Sequence, residues 1–245
     1  MQPAEFCAYH QPALEADEVK HGLILNAVAR MGATPVKVAY WTLGRPGECA
    51  IKMLPHSIVL GALDENQCRS LAELTVHIDY PGVVGPDLTA EWFTDRAHKL
   101  GIQFLEPVQQ QIYSISGMPR YPGAPGHARP VTIEDATLLA DWLTAFYREA
   151  VPHDPLLARE ELERAAGEDR FLFWICNGEP VSLAGIVRRL KRSAAIAGVY
   201  TPPQLRGRGY AGSAVGATVE RIFAEGRKIA CLYADLRNPA STAAI

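Results

Sequence analysis

The sequence has no apolar run approaching the roughly 18–20 residues that a bilayer-spanning helix needs, and its start, MQPAEFCAYHQP, lacks the cationic stretch and apolar core of a secretory leader. Both absences predict a cytoplasmic protein with no membrane partner. Cysteine is scarce and scattered: Cys7, Cys49, Cys68, Cys176 and Cys231 are odd in number and stand at no metal-ligand spacing, which predicts reduced thiols and neither a zinc site nor a disulfide frame. The seven histidines are equally dispersed, so a lone one such as His77 or His153 reads as a surface or satisfied side chain. A large excess of either charge is also missing, with 24 Lys and Arg against 27 Asp and Glu. A net charge of −3 argues against broad binding to nucleic acid, which depends on neutralising phosphates. There is no Gly-Lys-Ser/Thr phosphate loop, no internal repeat and no low-complexity tract.

What remains is a globular α/β pattern in two parts. With 48% hydrophobic residues, the chain is long enough for one large or two ordinary domains to bury a core unaided. Met118–Gly126 holds three prolines and two glycines and interrupts every periodicity, so the expected division is a first domain over 1–117, a linker over 118–128 and a second domain over 129–245. Before the break, the spacing predicts a helix over Leu14–Met31, strands at Val36–Leu43, Cys49–Leu54 and Ile58–Leu63, and a helix capped by Asp64 running to about Val76. A helix over Glu91–Leu100 and a closing strand at Gln110–Ser116 follow. After the break, Thr132 caps a helix to about Glu149, and a charged helix covers Leu156–Ala166. Strands Phe171–Cys176 and Val181–Leu190 face each other across Asn177-Gly178, a pair suited to a tight hairpin. Ala194–Tyr200 is a third strand. A helix over Tyr210–Glu225 stopped by Gly226, a strand Ile229–Asp235 and a helix opened by Asn238-Pro239 complete the pattern.

The informative segment is Thr201-Pro-Pro-Gln-Leu-Arg-Gly-Arg-Gly-Tyr-Ala-Gly212. Gly207 and Gly209 permit a backbone whose amides converge, and the helix start near Tyr210 adds its unpaired N–H groups and positive dipole end. Arg206 and Arg208 stand beside this anion site. Three readings fit: a plain strand-to-helix connection with solvated arginines, the G-x-G-x-x-G of dinucleotide folds, or a site for another pyrophosphate. The dinucleotide reading wants the first glycine directly off a strand and an acidic residue about 20 further on, where this chain has Arg227 and Lys228.

Arg206-Gly-Arg-Gly-Tyr-Ala211 resembles the [R/Q]-x-x-G-x-[G/A] acetyl-coenzyme A motif of the GNAT superfamily of N-acetyltransferases, and the strands and helices around it stand in that superfamily's order. The resemblance covers residues 129–245, and the preceding half looks like the degenerate partner domain of two-domain bacterial relatives. It implies tandem GNAT-like domains, each a mixed, mostly antiparallel sheet flanked by helices. It further implies that the backbone of Val199, Tyr200 and Thr201 pairs with the pantetheine arm in a gap between Ala194–Tyr200 and Ile229–Asp235. The segment Arg206, Gly207, Arg208, Gly209, Tyr210, Ala211 and Gly212 would hold the pyrophosphate, and Asn238 and Ser241 would contact the arm, although Asn-Pro equally suits a helix cap.

The activity so implied is transfer of an acetyl group from acetyl-coenzyme A to a primary amine by direct attack, with no metal. The acceptor would be a small amine or a lysine or N-terminal amine of a protein; a homo-oligomer is compatible with the pattern. Cys231 then reads as a small buried residue rather than a nucleophile. The strand Ala194–Tyr200 lacks the glutamate that several relatives use, which leaves Asp235 and Glu149 as candidate bases, each with a plain reading as a solvated or capping carboxylate. The tyrosine that serves as general acid in many relatives falls at or past Ile245, and the resemblance implies that a complete domain continues with further strands. The rival expectation is an acetyl-coenzyme A sensor or assembly module without catalysis.

Overall fold

The computed structural model describes residues 1–31, 38–104, 107–118, 123–152 and 156–237. The chain divides into two compact units, Met1–Pro107 and Val108–Ile245. The first begins with α1 (Pro3–Glu15) and α2 (Gly22–Arg30), where a single helix over Leu14–Met31 was expected. The apolar spacing holds over α2, where Ile24, Leu25 and Val28 are buried, but Asp17 breaks the helix before it; α1, which buries Phe6, His10 and Leu14, was not expected. The Asp17 carboxylate accepts the Lys20 amide at 3.1 Å, a local bond that competes with helix continuation.

Strands β1 (Val38–Thr42), β2 (Cys49–Met53) and β3 (Ile58–Leu60) are antiparallel neighbours, and the short β4 (Val83–Val84) pairs parallel to β3. Between them lies α3 (Glu65–Thr75), started by a reciprocal box in which Asp64 Oδ1 accepts the Gln67 amide at 2.8 Å and Gln67 Oε1 accepts the Asp64 amide at 2.9 Å. Helix α4 (Asp87–Lys99) follows, and Ile58, Leu60, Leu71, Phe93 and Ala97 form the core of this unit.

The second unit opens with β5 (Gln110–Ile115), the strand expected to close the first half. It pairs instead with the last strand of the second sheet, because pairing partners are set by tertiary approach and not by position in the chain. Strand β6 (His127–Pro130) had no alternation to mark it; it is a short edge strand that ends on proline. Thr132 begins a 3-10 turn, Ile133–Asp135, that leads into α5 (Ala136–Ala150), and α6 (Arg159–Arg164) follows.

Strands β7 (Phe171–Cys176) and β8 (Glu179–Arg189) meet at Asn177-Gly178, both at positive φ, 52° and 83°, as a two-residue hairpin of the I′ kind requires. Strand β9 (Ser193–Tyr200), α7 (Tyr210–Ala224) and β10 (Ile229–Asp235) complete the described elements, with Gly226 at φ 87° ending α7 as expected. The order is β5-β10-β9-β8-β7-β6, and only β9 and β10 run parallel. Alternation along β7 feeds two cores: Leu172 and Trp174 pack with Ile222 of α7, whereas Phe171 and Phe173 pack with Leu139 and Leu143 of α5. This is a mixed α/β chain with two sheets flanked by helices, the expected class. The expected helix at Asn238 lies outside the described residues.

Candidate functional site

The parallel ladder of β9 and β10 runs from Ser193 and Ile229 to Ile196 and Leu232, and stops there. Strand β9 continues to Tyr200 and β10 to Asp235, so the sheet opens between them. The cause is visible in β9. Between the pairs Ala197 with Gly185 and Tyr200 with Leu183, β9 spends one residue more than β8, and Gly198 takes φ 66°. This bulge bends the strand and reverses the parity of its side chains. Ala194 and Ile196 pack on the α7 side, as does Val199, three residues on, while Tyr200 packs toward α5, its ring 6.0 Å from that of Trp142. A Cβ at Gly198 would lie 3.2 Å from both Leu143 and Phe171. The sequence carried this signal, a glycine inside a strand pattern, but it was not among the expected site residues.

Tyr200 faces β8, where its carbonyl accepts Ser182 Oγ at 3.2 Å; backbone alternation therefore turns the amide and carbonyl of Val199 toward the opening. Ser182 also pins Thr201 through a 2.8 Å contact between hydroxyls. The Thr201 carbonyl is already engaged, accepting Arg206 Nε at 2.9 Å.

Beyond a 3-10 turn at Pro203–Leu205 the loop passes through Gly207 at φ 75° and Gly209 at φ 79°, left-handed values that favour glycine, and Gly209 is the N-cap of α7. Gly209 has no side chain to cap the helix, so the amides of Tyr210, Ala211 and Gly212 are first-turn orphans. Among the described residues, the amides from Gly207 to Gly212 meet no acceptor in the chain. A Cβ at Gly207 or Gly212 would meet nothing within 4 Å, so the cradle is open on that side. Tyr210 itself is buried, its hydroxyl 3.5 Å from Cys176 Sγ. Such a loop can bind an anionic group by backbone donors at a positive helix end.

The structure brings three of the expected residues together at one corner. Arg206 Nη2 lies 2.6 Å from Glu149 Oε2, and its guanidinium sits 5.8 Å from the Tyr200 ring centroid. The Tyr200 phenol is pushed above its ordinary value by burial and by the Glu149 charge, with Arg206 opposing. At the same end of α5, Tyr147, Arg148, Pro152 and Leu156 line a cavity of about 180 Å³.

Asp235 lies elsewhere, at the end of β10, where its Oδ1 accepts the Arg237 amide at 2.8 Å and an ion pair with the Arg237 side chain spans 3.4 Å. Cys231 is 6% exposed and its thiol is pushed up by burial, the opposite of what a thiolate nucleophile needs. Arg188 stacks over Tyr233 at 5.0 Å, close to that thiol. Asn238 and Ser241 lie outside the described residues. No group of three or more metal-ligating side chains occurs among the described residues, and none of their helices is long and apolar enough to cross a membrane.

A family model described as the acetyltransferase (GNAT) family matches residues 136–245, the stretch that holds this opening and loop. That match spans somewhat less than half of the chain. The matched stretch runs from α5 through β10. Over the whole chain the fold is similar to that of a Drosophila protein solved by X-ray, with TM-score 0.70 at 13% identity, covering 100% of this chain and 91% of that one. It is also similar to a GCN5-related N-acetyltransferase from Kribbella flavida, with TM-score 0.54 at 13% identity over 88% of this chain and 84% of that one. A GNAT-family structure from Novosphingobium aromaticivorans matches with TM-score 0.40 at 20% identity over 56% of this chain, which spans 57% of its length. No curated protein matches the chain.

Proposed function

We propose that the chain transfers an acetyl group from acetyl-coenzyme A to a primary amine. One observation supports this above others: the β9–β10 ladder opens beside a loop whose successive amides are unspent, a slot for an extended arm leading to a cradle for its phosphates. The pantetheine arm would pair with Val199 as an added strand, and Arg208 and the amides of Gly207 to Gly212 would take the pyrophosphate. The amine nitrogen attacks the thioester carbonyl, whose developing oxyanion is received by the β9 amide of Val199. The C–S bond then breaks; the sulfur leaves as thiolate and takes a proton from water, while the nitrogen loses one to Asp235, directly or through water.

The single experiment is calorimetric titration of coenzyme A into the wild type and Gly212→Glu. The new carboxylate enters open space in the first turn of α7 at an ordinary helical position, so the fold tolerates it while the phosphate site becomes anionic. Affinity is expected to fall at least about tenfold; equal affinity in both proteins, or binding of NAD in place of coenzyme A, overturns the reading. A second reading, a coenzyme A sensor without turnover, is favoured by one feature: Glu149 and Asp235 are each held by an arginine, Arg206 and Arg237. Thiol release across an amine panel separates the two, because a sensor is thermally stabilised by coenzyme A yet releases none.

A further inference from the structure

The guanidinium of Arg206 stands in the position of the motif where a phosphate ligand is expected, yet its contacts lead away from the amide cradle. Its Nε donates to the Thr201 carbonyl at 2.9 Å, its Nη2 to Glu149 at 2.6 Å, and its plane covers Tyr200 at 5.8 Å. One edge of the planar fork is therefore spent on the end of β9 and the end of α5. With side-chain exposures of 46% and 45%, the ion pair adds little stability, so its consequence is geometric. Helix α5 ends at Ala150, and a carboxylate one residue from a helix end swings freely unless something holds it. Arg208, whose guanidinium reaches no carboxylate among the described residues, is the cation left for phosphate.

We propose that Arg206 is a positioning residue for the amine acceptor and not a phosphate ligand: it fixes the Glu149 carboxylate beside Tyr200 at the open end of β9, where that charge receives the acceptor's ammonium group. This rests on the acetyltransferase reading above and deepens it. Glu149 orients the cationic acceptor, which gives up one proton to water and so frees its lone pair; the neutral amine then attacks from the α5 side of the sheet, and the substrate class narrows to amines that arrive protonated.

The test uses the full chain with coenzyme A and with the amine that the wild type turns over best. Arg206→Gln should change coenzyme A affinity by less than about threefold, whereas Arg208→Gln weakens it by about tenfold, the difference between a tether and a charge-assisted phosphate contact. The KM for the amine should rise roughly tenfold in Arg206→Gln and in Glu149→Gln and no further in the double variant, because the two act as one unit. Arg206→Lys, which keeps a cation near Glu149, should recover most of that loss. The proposal is overturned if Arg206→Gln costs as much coenzyme A affinity as Arg208→Gln, if the amine KM is unmoved in the single variants, or if the two losses add. Coenzyme A binding that survives Gly212→Glu instead removes the loop assignment itself, so the two failures are told apart.

Discussion

Ile196 on β9 and Leu232 on β10 are the last partners of the parallel ladder in the second sheet, and beyond them the two strands part. Where they part follows from Gly198. Because that residue adopts φ 66° inside a strand, the parity of β9 reverses just after the ladder ends, so that the Val199 side chain packs on the α7 side and Tyr200 on the α5 side.

Replacing Gly198 with alanine should therefore be costly. The substitution adds left-handed strain and a Cβ 3.2 Å from Leu143 and Phe171, together about 1–3 kcal/mol. Thermal denaturation should show a lowered melting temperature, and coenzyme A affinity should fall with it; a variant of unchanged stability and affinity would show that the bulge does not set the gap.

Asp235→Asn keeps an oxygen that can accept the Arg237 amide, so the turn after β10 should survive while the proton acceptor is lost. The expected outcome is a kcat lower by roughly 10²–10⁴-fold with the dissociation constant for acetyl-coenzyme A nearly unchanged. Full activity across the amine panel would remove Asp235 from the reaction.

Acid sensitivity of the second unit should trace to Asp135, whose carboxyl is held down to about 2 by the two-pronged Arg129 guanidinium, at 2.8 and 2.9 Å, and by bonds from Thr132. The folded value is depressed, so the stabilisation is complete above the unfolded value near 4 and is lost as pH falls toward 2. Arg129→Met should cost about 1–2 kcal/mol at pH 6 and much less at pH 2–3, measured by urea denaturation at each pH.

The first unit should weaken at a higher pH, through His10. Its buried ring accepts the Gly47 amide on Nδ1 at 3.0 Å and meets Thr42 Oγ1 with Nε2 at 2.9 Å, and burial lowers its basicity. The neutral form is the folded form, so the contribution is present above about 6.5, the unfolded value, and is lost below it. Hydrogen exchange of α1 amides should accelerate on moving from pH 7.5 to 5.5 beyond the intrinsic pH effect, and His10→Gln should abolish that excess.

The letters alone determined whatever local chemistry settles. Asn177-Gly178 can take two positive φ values, Asp64 and Gln67 can cap each other, Gly226 can end a helix, and Gly207 and Gly209 can bend a loop into a helix start; each happened where the sequence placed it. Strand β10 matched residue for residue because it is a short apolar run bounded by Lys228 before it and the Leu236-Arg237 turn after it. Tertiary structure decided the rest. That β5 joins β10, that β6 exists at all, and that Asp17 parts α1 from α2 depend on partners distant in sequence or on one competing side-chain bond, which periodicity does not encode. The meeting of Glu149 with Arg206 is of the same kind: 57 residues separate them, and only the packing of α5 against the sheet and the reversed parity after Gly198 bring the carboxylate to the guanidinium.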